Sequence, residues 1–325
     1  MDSTSNQLFT LSPSPHVKHK NSTQSVMLHV LIALAPAFIW SIVIGGIMAA
    51  VLTVISVALC VLYEYGYQRL TKKPITVSDL SAAVTGVLIA FNLPATFSPW
   101  LLIFGCFFAI VVVKQLFGGI GKNIVNPAIA ARIFMFISWP EQMTGYVNKL
   151  DSVSSATPLS ALSAGQIPEY EVIDAFLGNI PGCIGEVSAL LLIVGGLHLI
   201  VRRVITWHIP VSFIGTVALI ALIFPLARTT LLQSIGYQLF SGGLMLGAIF
   251  MATDYTTSPV TSWGRIIYGV GCGLITMAIR YLGAYPEGVS FAIMIMNLLV
   301  WYIDKATTPK VFGDRKPKKA KEEAK

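Results

Sequence analysis

Residues 151–157 read Asp-Ser-Val-Ser-Ser-Ala-Thr, and Pro158-Leu159-Ser160-Ala161-Leu162 follows. Thr157 suits a helix N-cap, and Pro158 suits the first helical position, where its missing N–H would be an orphan anyway. A hydroxyl placed there faces free backbone N–H groups and the positive end of the helix dipole, a good place for an anion. Two readings fit these residues: a plain capped loop helix, or a threonine whose hydroxyl carries a phosphate-linked group.

A second stretch, Gly118-Gly119-Ile120-Gly121-Lys122-Asn123-Ile124-Val125-Asn126-Pro127-Ala128, sets three glycines in four positions. Such spacing permits positive φ and close approach of the backbone to a ligand. Asn123 and Asn126, three apart, share a helical face if the helical turn extends that far, and would then offer amide donors and acceptors to a heterocycle. No strand precedes the stretch, so it is not a dinucleotide fingerprint; a membrane re-entry turn and a ligand site both fit it. A third stretch, Ala252-Thr253-Asp254-Tyr255-Thr256-Thr257-Ser258-Pro259-Val260-Thr261, places an acidic residue among hydroxyls at the end of an apolar run. Asp254 there is either the cap of the next helix or a functional charge.

Asp151-x-x-Ser154-Ser155-Ala156-Thr157 resembles the Asp-x-x-Ser/Thr-Gly/Ala-Ala-Thr signal at which a flavin transferase esterifies FMN phosphate to threonine, with Ser155 in place of the commoner glycine. In an apolar chain this is similar to the RnfD/NqrB family of membrane flavoproteins, and the glycine–asparagine and Ala-Thr-Asp stretches resemble that family too. The likeness runs from about Ser14 to about Asp304. It implies covalent FMN on Thr157, within a signal that includes Asp151, Ser154, Ser155 and Ala156. A non-covalent riboflavin is implied near Gly118, Gly119, Gly121, Lys122, Asn123 and Asn126. Asp254 is the first candidate for ion coupling and Glu64 the second. The implied partners are an extracytoplasmic FMN subunit, membrane subunits with an iron–sulfur centre and a cytoplasmic NADH-oxidising subunit. Together they would couple electron flow between ferredoxin and NAD to export of Na+ or H+. The short segment before the first apolar run favours the RnfD type over the quinone-reducing NqrB type.

The elements that must position these residues are set by composition. Hydrophobic residues make up 55% of the chain and charged ones 11%, far from a soluble domain. Apolar runs occur at 26–44, 46–63, 80–93, 99–113, 125–139, 181–201, 209–227, 235–252, 266–282 and 289–303, against the about 20 residues a bilayer core requires. They predict an all-α polytopic membrane protein of about ten transmembrane helices. Residues 1–24 are polar and form an N-terminal segment without a cleavable signal. Residues 25–304 form one membrane domain, with halves at about 25–139 and 181–304 and a loop at 140–180; residues 305–325 are a basic tail. A short likeness between Ala90–Trp100 and Phe250–Trp263, five runs apart, suggests that the halves are inverted repeats.

Charge sets the orientation. Nineteen lysines and arginines, Arg132 among them, fall in segments on the side of the termini. Only Lys149, Arg228 and Arg280 fall on the other side, so both termini are expected in the cytoplasm and Thr157 outside. The net charge of +7 therefore calls for no nucleic acid; the tail stays solvated or touches anionic membrane lipid. Cys60, Cys106, Cys183 and Cys272 sit in four different runs, which excludes an iron–sulfur motif in this chain. The absence of a P-loop or Rossmann signature argues against ATP binding and direct hydride transfer from NADH. A solute channel or permease, a different class, remains compatible with ten spans.

Overall fold

The computed structural model describes residues 22–148, 153–154, 157–164, 166, 168, 170–186, 188–226, 229–283 and 287–309. Helix α1 (Thr23–Gly45) is followed after Gly46 by α2 (Ile47–Leu70). Next come α3 (Ser81–Phe91) and α4 (Pro99–Phe107), which runs on as a π-helix from Phe108 to Gln115, and then α5 (Pro127–Ser138). Short α6 (Pro140–Thr144), α7 (Pro158–Ser163) and α8 (Val172–Leu177) fill the middle of the chain. There Val147 pairs with Ser154 and Asn148 with Val153 in a two-residue antiparallel ladder. Helices α9 (Ala189–Val201) and α10 (His208–Ile223) lead to α11 (Leu231–Phe240) and α12 (Leu244–Leu246), the latter continuing as a π-helix from Gly247 to Met251. Two long helices, α13 (Ser262–Leu282) and α14 (Val289–Thr307), end the described chain.

Each of the ten apolar runs contributes a helix, but the helices are unequal. Four, α1, α2, α13 and α14, are long and apolar enough to cross a membrane. Counting α11 with the α12 segment, bent by 58° at the break, makes five. The remaining apolar helices have 10–17 residues, short of the about 20 that cross a bilayer core. Hydropathy marks an apolar stretch equally well whether its helix is whole or halved.

Polar side chains and glycines fix this pattern locally. Ser22, Asn126, Ser188 and Thr261 cap α1, α5, α9 and α13 by accepting hydrogen bonds from first-turn N–H groups. Helix α13 packs tightly on α10: a Cβ at Gly269 would run into Ser212 Oγ, so only glycine fits.

Two helices stop inside the apolar body. Helix α3 starts beside Lys114 and rises about 16 Å over its eleven residues, roughly half a bilayer core. Its end needs partners that lipid cannot give. The segment before α9 supplies them: Gly185 N donates to Phe91 O and Ile184 N to Leu93 O, both at 2.8 Å. Helix α12 starts at the second break, where Gly242 and Gly243 both take positive φ. The two ends of the bundle can be named by what they carry. The terminal face holds Ser22 and Thr307; the loop face holds the described residues between 140 and 180, tied on by the Thr96 hydroxyl, which donates to Gly145 O at 2.6 Å.

Candidate functional site

A cavity of about 470 Å³ opens at the terminal face, walled by both halves of the chain. Ser81, Lys114, Gly121, Asn123 and Asn126 come from the first half and Thr253, Asp254 and Thr256 from the second. The glycine turn behaves as its spacing predicts: Gly118, Gly119 and Gly121 have φ of 114°, 92° and 88°. Only Gly121 reaches the wall; Gly118, Gly119 and Lys122 lie behind it, the Lys122 chain folded over Gly118.

The two asparagines do not share a helical face. Asn126 is the N-cap of α5, accepting from Ala128 N at 3.0 Å and donating to Met251 O at 3.1 Å, so it joins the halves. Asn123 precedes the helix; its Oδ1 is buried at the cavity with no hydrogen-bond partner. Asp254 Oδ2 accepts from Thr256 at 2.9 Å and Thr257 at 3.1 Å. Burial pushes its carboxyl above the ordinary aspartate value, against the lowering effect of those hydroxyls. Glu64 lies six residues inside the end of α2, buried and paired with Lys114 at 2.7 Å. Lys114 Nζ also donates to Ser81 Oγ at 2.6 Å, and Gln115 and Gln68 donate to Glu64 Oε1 at 3.0 and 3.3 Å.

Thr157 lies on the loop face, apart from this cavity. It is the N-cap of α7 with Pro158 in the first turn; its Oγ1 accepts from Ser160 N at 3.3 Å and donates to Ser160 Oγ at 3.1 Å. Thr157 is buried, and the neighbouring Leu159 packs on Gly242 at the helix break. Asp151, Ser155 and Ala156 lie outside the described residues; Ser154 enters the ladder through its backbone.

Three further charges meet between the two faces. Arg132 belongs to no terminal-side segment: it lies within α5, buried, with Nη1 on Asn92 Oδ1 at 2.7 Å and Nη2 on Glu287 Oε2. Glu186 stands 3.7 Å from Nη2. Cys183 is in the segment before α9 rather than in a span, and its Sγ is 4.0 Å from the same nitrogen. Cys183 Sγ and one carboxylate oxygen each of Glu186 and Glu287 lie within 4.8 Å of one another, and the guanidinium bonds Glu287 while standing 3.7 and 4.0 Å from Glu186 and Cys183. Arg280, in the last turn of α13, is likewise buried, bonded to Gln238 O and Oε1 at 2.6 and 2.8 Å. The signal that could have found this cluster was a charge inside an apolar run, which is expensive without a partner.

The sequence matches the family described as NQR2, RnfD, RnfE over residues 10–313. It is 48% identical to the D-type subunit of the Na(+)-translocating ferredoxin:NAD(+) oxidoreductase complex of Acetobacterium woodii, covering 95% of this chain and 97% of that one. It is 39% identical to the D-type subunit of the proton-translocating ferredoxin:NAD(+) oxidoreductase complex of Clostridium ljungdahlii, with the same coverage. A third relative, the D-type subunit of the ion-translocating oxidoreductase complex of Stutzerimonas stutzeri, is 37% identical over 90% of this chain and 93% of its own.

Proposed function

The chain belongs to the NQR2, RnfD, RnfE family, and on that premise we propose that it is the electron-carrying D-type membrane subunit of an ion-translocating ferredoxin:NAD+ oxidoreductase complex. It works with membrane subunits holding iron–sulfur centres, a cytoplasmic NADH-oxidising subunit and an extracytoplasmic FMN subunit. Ten helical passes in two inverted halves place both termini in the cytoplasm and Thr157 outside. Thr157, after modification by a flavin transferase, holds FMN through a phosphoester, and a riboflavin occupies the terminal-face cavity. Bound flavins would supply one- and two-electron transfer between redox partners.

The residues present fit such groups. At Thr157 the Ser160 N–H already faces the hydroxyl oxygen, and a helix start suits a phosphoryl group. The cavity falls within the about 300–1,000 Å³ usual for small-molecule sites. The observation that carries the second site is the unpartnered Asn123 Oδ1 in its wall, an acceptor open to a ring N–H. Asn126, committed to its cap and to Met251, keeps that wall in place, while Asp254 supplies charge beside it for ion coupling and Glu64 holds Lys114 in the wall.

Protein made with a flavin transferase should give a fluorescent band after denaturing electrophoresis, lost in Thr157→Ala. A band that survives this change rejects the covalent assignment. The orientation has its own check. Cysteine placed at exposed Ser163 should react with an impermeant thiol reagent in intact cells, and cysteine at exposed Ser262 should not.

A further inference from the structure

The middle of the bundle holds one charge that the arrangement above leaves unused. Glu287 is committed on both oxygens, since Arg132 bonds Oε2 and the Tyr146 hydroxyl donates to Oε1 at 2.9 Å. Arg132 is committed too, with Glu287 on one nitrogen and Asn92 on the other. Glu186 differs. It is only 7% exposed, its Oε1 makes no hydrogen bond, and its nearest cation stands off at 3.7 Å. A buried polar atom without a partner is unfavourable and asks for an occupant.

The surroundings say what kind. Oε1 faces Gly243, where a Cβ would be 2.6 Å away, so the carboxylate sits at the start of the inner half-helix. Ser241 Oγ and Arg280 Nε, beside the same break, are also buried without partners. The charged and titratable groups that face Glu186 are Arg132 from α5, Glu287 ahead of α14, Arg280 from α13, Cys183 from its own segment, and Tyr146.

We propose that Glu186 is a cation-exchange carboxylate: a small monovalent cation, proton or sodium, binds its free oxygen and leaves again while Arg132 stays held by Glu287 and Asn92. Because Arg132 keeps two partners, occupancy of Glu186 strands no other charge. Two arginines balance two glutamates, so an added cation raises the local charge by one and is held loosely. A stepping stone needs that balance, since a tightly held ion does not move on. The inference rests on the ion-translocating role proposed above and adds a station to it, between the faces, where discontinuous helices meet.

The test uses the full chain in lipid nanodiscs and carboxyl infrared difference spectra. One arm steps pH at constant Na+; the other exchanges Na+ for K+ or choline at constant pH. Wild type should show a carboxyl band responding to pH alone (proton) or to Na+ but not K+ (sodium), and Glu186→Gln should lose it. Exposed Glu141→Gln should keep it. No response in wild type, or a Glu186→Gln difference spectrum that overlays the wild-type one in either arm, overturns the proposal. Should Glu186→Gln fail to fold, Glu186→Asp serves: the band must persist with a shifted midpoint, and an unshifted band rejects the site. The Thr157-dependent fluorescence of the same samples is scored separately, so absence of flavin counts against the electron-carrying role and not against Glu186.

Discussion

Two buried charge clusters are built from the same ingredients and finished differently. In the terminal-face cluster, Glu64 accepts from Lys114, Gln115 and Gln68, and Lys114 has Ser81 as a second acceptor. In the middle cluster Arg132 serves Glu287 and Asn92 fully and Glu186 hardly at all. The first is closed: no carboxylate oxygen is left over. The second keeps one oxygen in reserve. A buried ion pair by itself is weak evidence for stabilisation, because desolvation offsets much of the attraction. What separates a structural pair from an exchangeable one is therefore the state of the last acceptor, not the presence of opposite charges.

Breaking the closed cluster should have the largest effect. Glu64→Leu leaves Lys114 buried without a counter-charge, and unfolding should become easier by about 3–5 kcal/mol. The thermal midpoint in detergent reports it; a midpoint like wild type would mean the pair holds nothing together. Asn123→Ala should come next. It removes an acceptor that has no protein partner, so stability should hold. Acid-extractable riboflavin should weaken by about 1–3 kcal/mol, roughly 5- to 150-fold in affinity. Equal loss of stability and flavin would make Asn123 a structural residue. Asn126→Ala is a poor substitute, because it destroys the α5 cap and the Met251 contact as well.

Opening the open cluster further should do little. Glu186→Gln should change stability by about 1 kcal/mol or less, since Arg132 keeps Glu287 and Asn92. A loss as large as that at Glu64 would erase the distinction between the clusters. The subtlest effect concerns Asp254. Its folded-state pKa is raised by burial, so the folded protein holds that proton more tightly than the unfolded chain does. The resulting stability is present below the unfolded value and lost as pH rises through the folded one. Asp254→Asn cannot titrate. Thermal midpoints compared across acid to neutral pH should therefore show wild type losing ground to the variant as pH rises; parallel curves would refute the shift.

How much of this was legible in sequence depended on the range of the interaction. Thr157 with Pro158 at a helix start, the positive φ of the glycine turn and the hydroxyl shell of Asp254 are all local, and each follows from residue types a few positions apart. The Lys114–Glu64 pair spans 50 residues and the Arg132–Glu287 pair 155, so no window joins them. Composition even concealed Arg132, since one charge in an apolar run scores like a residue at its edge. The asparagines failed for a different reason. Spacing of three suggested a shared face, but Pro127 starts the helix after Asn126 and leaves Asn123 in the turn.

The two π-helical stretches, 108–115 and 247–251, each end at the terminal-face cavity. Their wider hydrogen-bond ring accommodates an extra residue that an ordinary helix of the same reach would not contain. Gaining one more residue in the first, ahead of Lys114, would overfill that ring, and everything beyond would swing by about 100°. Lys114 would then leave Glu64, and the glycine turn would aim its asparagines elsewhere. Insertions, tolerated in most connecting segments, should thus disrupt the cavity when made in these two helices, where chain length works as its alignment gauge.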